Sequence, residues 1–284
     1  VALADEAAPG PSPLLPLSRQ AGAAAPLFCP HPVTGRVTGY QPLAARLEAV
    51  RPVFGLQCRS FLDPAWRDAS LHEMADAYLA ALLRQQPGGP YHLVGWSLGG
   101  SLALELAARL EARGERVAFL GLLDCYVPGT EIAEDDARHP QARARLGETL
   151  RMLVPELAPG ALDELLARLA EHEPLDWPEA ARTWLAVQGL DAAARQSLEE
   201  LLFAWAVEQH MRRRCAGYRL PQVQVRPHCW WASQPPGRAA LLEQGLQQAL
   251  GQAASHRQVE ADHLGIVRHP RVLEALQAEL TRLG

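Results

Sequence analysis

The chain has 284 residues, 48% hydrophobic and 21% charged, with a net charge of −5. That composition supports a large apolar core and excludes wholesale disorder, and the acidic balance argues against nucleic acid as partner, since phosphate binding needs a basic face. No run of eighteen or so apolar residues is free of charge, so no membrane span is expected. Cys29, Cys58, Cys125, Cys215 and Cys229 are scattered, without a C-x-x-C pair, as in a reduced, cytoplasmic chain rather than a disulfide framework or a zinc site.

Residues 1–25 are rich in Ala and Pro, with Pro9, Pro11, Pro13 and Pro16 closely spaced, and begin at Val1 rather than Met. Asp5 and Glu6 stand where a signal peptide would carry its basic start. The stretch reads as a linker from a preceding domain, and the folded domain is expected over 26–284. Ala25 to Cys29 reads as a strand, followed by a rigid loop, Pro30-His31-Pro32-Val33-Thr34-Gly35. A short helix is expected from Tyr40 to Ala49 and a second strand from Pro52 to Gln57. A helix over Leu71 to Leu83 has Ser70 as N-cap and Glu73 completing a capping box. The apolar pair Leu93-Val94 marks a third strand, Ser101 to Arg113 a helix, and Val117 to Leu123 a strand buried on both faces.

This alternation predicts a mostly parallel sheet with helices on both faces. It breaks after Pro128. Residues 130–220 offer only helical blocks (142–154, 161–170, 178–187 and 192–214), read as a helical lid inserted in the α/β domain. Trp177, Trp184, Phe203 and Trp205 are candidates either to line an acyl pocket or to pack the insertion itself. A strand over Val223 to Trp231, a helix from about Arg238 to Leu250, a strand over His256 to Glu260 and a closing helix, Arg271 to Leu283, complete the chain.

The chemistry centres on Gly95-Trp96-Ser97-Leu98-Gly99, a G-x-S-x-G motif between a strand and a helix. That context suits a strained turn projecting Ser97 as nucleophile; the alternative is a glycine-rich turn with a capping serine. Asp124 ends the fourth strand and His263 follows the last, so candidate nucleophile, acid and base run in the chain order of α/β-hydrolases. His263 would accept the serine proton and Asp124 would fix its tautomer. Asp262 reads as a turn residue, and the rival acid position after the strand over Val223 to Trp231 holds Ser233 and Gln234, neither acidic. His31 either shapes the oxyanion hole or makes a structural hydrogen bond; His92 and His210 read as structural; His256 and His269 carry no motif. The oxyanion donors are expected to be the backbone N–H groups of Leu98 and Val33. No phosphate-binding, dinucleotide or zinc motif is present, so neither cofactor nor metal is expected. Met211-Arg212-Arg213-Arg214 fits an acidic partner or a phosphate, or simply cations at a helix C-terminus.

Leu27 to Pro32 with Gly39-Tyr40, Gly55-Leu56-Gln57, Gly88-Gly89-Pro90-Tyr91, the elbow through Gly100, Ala118 to Asp124 and Asp262-His263 together resemble the thioesterase domains that end non-ribosomal peptide synthetases. The resemblance runs from about Pro26 to the C-terminus. It implies transfer of an acyl or peptidyl chain from the 4′-phosphopantetheine of an upstream carrier domain, in the same polypeptide, onto Ser97. Release as an acid or a macrocycle would follow, in antibiotic or siderophore biosynthesis. One departure is Val33-Thr34-Gly35, where many members have Ala-Gly-Gly after His-Pro, which bears on the second oxyanion donor. A free-standing editing thioesterase, a lipase or esterase acting on free esters, and a carrier-docking module with a dead triad are the alternatives.

Overall fold

The structure is a computed structural model and describes residues 12–18, 24–128, 147–150, 152, 160–251 and 255–283. They fall into two compact units, 1–133 with 217–284, and 134–216.

The first unit is built on a seven-stranded sheet. Its strands are β1 (Leu14–Pro16), β2 (Leu27–Pro30), β3 (Val53–Leu56), β4 (Tyr91–Trp96), β5 (Val117–Leu123), β6 (His228–Ala232) and β7 (Ser255–Val259). They lie in the order β1-β3-β2-β4-β5-β6-β7, all neighbours parallel except the antiparallel pair β1–β3. Helices α1 (Gln41–Leu47), α2 (Leu71–Gln85) and α3 (Leu98–Ala112) follow β2, β3 and β4. The chain runs outward from β2 to β3, then returns across β2 to start β4. The order therefore reverses beside β2, and in open parallel sheets ligands gather at the strand carboxyl ends where this happens. The expected α/β-hydrolase arrangement is thus present in this unit.

Two stretches differ from the sequence reading. Within the presumed linker, Leu14–Pro16 is an edge strand, Leu14 opposite Leu56, so the sheet starts before Pro26. Edge position tolerates Pro16, which has no N–H to give a ladder. The rest of the presumed linker, apart from residues 12–18 and 24–25, lies outside the described residues. Val223 to Pro227, expected as strand, is irregular, and the ladder to β5 begins only at His228 opposite Gly121. The cause is a competing acceptor. The Glu111 carboxylate takes the N–H groups of Gln224 and Val225 at 2.7 and 2.8 Å.

Helix α2 starts where expected, with Glu73 N–H donating to Ser70 Oγ at 3.1 Å. Its Glu73 carboxylate accepts from Ala69 N–H rather than from Ser70, a shifted capping box. Helices α1 and α8 (Pro270–Arg282) join one core through Leu43, Ala44, Leu47, Val272, Leu273, Leu276 and Leu280. Arg51 is fully buried beneath them and donates to the carbonyls of Ala25 and Leu280. A cation on the last carbonyls of a helix satisfies groups that have no intrahelical partner.

β4 is buried along its whole length, and α3 leaves it at Leu98 with a tightly packed first turn. A Cβ on Gly95 would lie 2.1 Å from Gly99 O, and one on Gly99 would lie 2.3 Å from Pro30 O. Both obstacles are backbone, so relief requires moving a strand or a helix. Gly95→Ala is expected to destabilise the chain by about 3–5 kcal/mol, read from urea unfolding midpoints. A loss below about 1 kcal/mol would show that this turn tolerates expansion.

The second unit contains α4 (Ala161–Ala170), α5 (Trp177–Ala186) and α6 (Ala192–Arg214), with helical residues also at 147–150 and 152. Three of the four expected helical blocks are therefore found nearly in place; most of the first, 142–154, lies outside the described residues. The apolar residues of α4 and α5, such as Leu165, Leu169, Ala181 and Leu185, are buried at helical spacing. Trp177 lies against Trp205, ring centroids 4.5 Å apart, and its indole N–H donates to His172 O. These two rings pack the unit itself.

Candidate active site

Ser97 joins β4 to α3 in a conformation rare for a side-chain-bearing residue, with φ 57° and ψ −129°. Its surroundings hold it there. Ser97 N–H donates to Leu123 O at 3.0 Å, and Ser97 O accepts from Gly100 N–H at 2.9 Å and Tyr126 N–H at 3.0 Å. Tyr40, fully buried, locks the adjoining strand end. Its hydroxyl accepts from Trp96 N–H and donates to Pro30 O, both at 2.7 Å. The backbone is thus fixed by its neighbours, and the side chain projects its hydroxyl toward His263.

Asp124 ends β5, fully buried and also at positive φ, 43°. Its N–H donates to Trp230 O on β6, and its Oδ1 accepts from Ala232 N–H at 3.1 Å. Its Oδ2 accepts from His263 Nδ1–H at 2.5 Å, and His263 Nε2 lies 3.1 Å from Ser97 Oγ. Burial alone would raise the Asp124 carboxyl. The hydrogen bond and charge of His263, the Arg238 guanidinium and the Ala232 N–H outweigh it and hold the carboxyl below its ordinary value. An ionised carboxylate only accepts, so Nδ1 carries the ring proton, and Nε2 is left to accept from the serine hydroxyl.

The structure therefore brings Ser97, Asp124 and His263 into one chain of contacts. Trp96 supports it: its indole N–H donates to His263 O at 2.9 Å, and its ring lies 5.6 Å from the imidazole. Asp262 serves the turn, accepting Gly265 N–H at 2.6 Å. Arg238, first residue of α7 (Arg238–Leu250), also binds Asp124 Oδ2. No sequence motif announces it. An arginine opening a helix is unremarkable until the fold folds it back onto a strand end.

His31 makes a structural hydrogen bond that also shapes the first loop. It is fully buried, with Nδ1 2.6 Å from Pro32 O and Nε2 2.7 Å from the Tyr78 hydroxyl. The carbonyl only accepts, so Nδ1–H donates to it and Nε2 accepts from Tyr78. Gly35 N–H also donates to Pro32 O, at 2.9 Å. Two donors on that carbonyl fix the Pro32–Val33 peptide plane, and with it the direction of Val33 N–H. Thr34, whose bulk departs from the family pattern, is exposed.

Burial lowers His31 to about 4 against a reference of 6.5, with the Pro32 carbonyl opposing. His92, buried on β4, is lowered similarly by burial and by Arg51. The unfolded chain thus binds more protons than the folded one between about pH 6.5 and 4, so stability is full above that window and falls as pH drops through it. The His31 share is on the order of 3 kcal/mol. His31→Gln is expected to be less stable at neutral pH yet lose less on acidification, measured by urea unfolding at several pH values. An unchanged pH slope would mean that His31 binds its proton equally in the folded and unfolded chains.

The other candidates are structural here. His256 accepts the Trp231 indole N–H at 2.9 Å and stacks on that ring, His269 immediately precedes α8, and His210 is buried on α6. Arg212 pairs with Glu208 and Arg213 with Glu173, as cations near a helix C-terminus do. The five cysteines are buried and none is in a disulfide; Cys125, beside Asp124, is pushed up to about 12 by burial, so it holds no ready thiolate. Among the described residues no cluster of three or more His, Cys, Asp or Glu is placed to hold a metal, and no helix is long and apolar enough to cross a membrane.

Comparison with known proteins bears on the family and the fold. Enterobactin synthase component F of Escherichia coli (strain K12) is 47% identical over 118 residues, 42% of this chain, and the match spans 9% of that protein's length. The NocB thioesterase domain from the nocardicin cluster superimposes with a TM-score of 0.57 at 21% identity, covering 92% of this chain and 95% of that one. A four-domain nonribosomal peptide synthetase bound to AMP and glycine gives 0.65 at 19% identity, covering 96% of this chain and 20% of that one. These two likenesses establish the shared fold. The thioesterase domain family model matches residues 25–280, and the chain belongs to that family.

Proposed function

We propose that Ser97, His263 and Asp124 are the catalytic triad of a chain-releasing thioesterase. The observation that carries it is the unbroken contact from Asp124 Oδ2 to His263 at 2.5 Å and from His263 to Ser97 Oγ at 3.1 Å. His263 Nε2 takes the proton as Ser97 Oγ adds to the thioester carbonyl. The tetrahedral oxyanion is met by the N–H groups of Leu98 and Val33. Collapse breaks the C–S bond, sulfur leaves as the thiol with the proton from His263, and the chain remains as an ester on Ser97. A second cycle, with water or a nucleophile of the chain itself, breaks that ester and returns the proton to Ser97.

The substrate in this proposal is an acyl or peptidyl chain on the phosphopantetheine of an upstream carrier domain. The relatives' synthetase names and the four-domain synthetase of like fold support it. The lid role of the helical insertion belongs to the same proposal and rests on its place in the sequence. A fluorophosphonate probe should attach to Ser97 and fail to label Ser97→Ala. Efficient turnover of simple esters with no preference for a carrier-bound thioester would favour an esterase instead, and absence of labelling in the native chain would mean a dead triad.

A further inference from the structure

Arg238 stands within the triad yet has no part in the three-residue scheme. Its Nε and Nη2 lie 3.2 and 3.0 Å from Asp124 Oδ2, the same oxygen that takes His263 Nδ1–H. Nη2 is also 3.4 Å from Nδ1. Both nitrogens are donors, so this approach is not a hydrogen bond but two N–H groups converging on one acceptor. The guanidinium is mostly shielded, 16% exposed, so solvent weakens its field only in part. The imidazole meets Asp124 and Arg238 at Nδ1, the Ser97 hydroxyl at Nε2 and the uncharged Trp96 ring beside it, while neighbouring Asp262 is turned to Gly265 N–H.

We propose that Arg238 is a positioning residue of the reaction: it holds the Asp124 carboxylate in place and keeps positive charge from settling on the His263 ring. This rests on the triad reading above. When Ser97 loses its proton, the ring becomes a cation beside a fixed cation. The proton is then passed on readily to the departing sulfur, and the ring returns to its accepting form. The same repulsion keeps the resting enzyme reactive toward lower pH than it would be without the guanidinium. Arg238 Nε and Nη2 also hold Oδ2 while Ala232 N–H holds Oδ1, so the carboxylate cannot rotate away when the imidazole moves.

A merely structural Arg238, tying the start of α7 to the end of β5, would make a different prediction. Its loss would lower the rate by one factor at every pH. The two accounts separate in the pH dependence of Ser97 labelling by a fluorophosphonate, which needs no knowledge of the natural acyl chain. In Arg238→Gln the acid half-point of the labelling rate should move up by about one pH unit, the effect of two unit charges at this separation in a water-like dielectric. At about pH 9 its rate should fall by a smaller factor than at acid pH, the remainder being the lost hold on Asp124, and Arg238→Lys should keep the native half-point. Arg238→Met, of similar length and no charge, takes the place of Arg238→Gln if that variant does not fold, with the same criterion. An acid half-point that stays or moves down, or a uniform loss across pH, overturns the proposal. Labelling that persists in Ser97→Ala would instead remove the triad reading, whatever the Arg238 variants do.

Discussion

Asp124→Asn is expected to lower kcat/KM for an acyl thioester by about 10⁴-fold near neutral pH, as loss of the orienting carboxylate does in other triads. The local hydrogen bonds say why so small a change should cost so much. Oδ1 faces the Ala232 N–H, so an asparagine must keep its carbonyl oxygen there. Its amide nitrogen is then forced to where Oδ2 receives His263 Nδ1–H and both Arg238 donors. Donors would face donors. The imidazole escapes by moving its proton to Nε2, which then has nothing with which to accept the Ser97 proton. Stability should fall as well, because the Arg238 guanidinium loses its counter-charge in a largely buried place. Steady-state kinetics beside an unfolding curve separate the two effects. A rate loss below about tenfold would move the acid elsewhere in the chain.

Ser97→Ala should reduce release by about 10⁵–10⁶-fold, comparable to losing the nucleophile of other serine enzymes. It should do so with the fold intact. Every other contact described for Ser97 is made by its backbone, to Leu123, Gly100 and Tyr126, and its hydroxyl meets His263. Alanine keeps the backbone bonds and carries no new bulk. The positive φ is as costly for alanine as for serine, so the melting temperature should stay within a few degrees of the native chain. An acyl chain offered on a carrier should remain there, visible by mass. Release at the native rate from this variant would rule out Ser97 as the acceptor.

Much of this site was legible in the sequence because it depends on local chemistry repeated at strand ends. The G-x-S-x-G motif specifies its own turn: Gly95 and Gly99 leave no room for a Cβ, so strand, serine and helix follow from composition. Asp124 is readable because it directly follows the apolar run Val117 to Leu123, and His263 because it follows the last strand in the chain order serine, acid, histidine. Arg238 was not, since its role comes from the return of α7 onto β5, a tertiary event with no periodicity of its own. β1 was hidden for a related reason. A three-residue edge strand ending in proline has no alternation to detect and exists only because β3 offers an open edge. Val223 and Val225 erred in the other direction: their β-branched alternation signalled strand, but Glu111, more than a hundred residues earlier, captures the N–H groups that a ladder would need. His31 shows the remaining gap. Sequence leaves it between oxyanion shaping and structural support; the structure shows the support, His31 Nδ1–H donating to Pro32 O, and the oxyanion donor at Val33 belongs to the proposed function.

The most direct test of the central claim is rapid-quench mass spectrometry of the chain mixed with a carrier domain bearing an acyl-phosphopantetheine thioester. The account predicts a transient adduct of the acyl mass, mapped to the peptide carrying Ser97, that forms as the carrier loses its chain and decays as product appears. Product released at the native rate with no adduct on Ser97, or an adduct mapped to another residue, would contradict it.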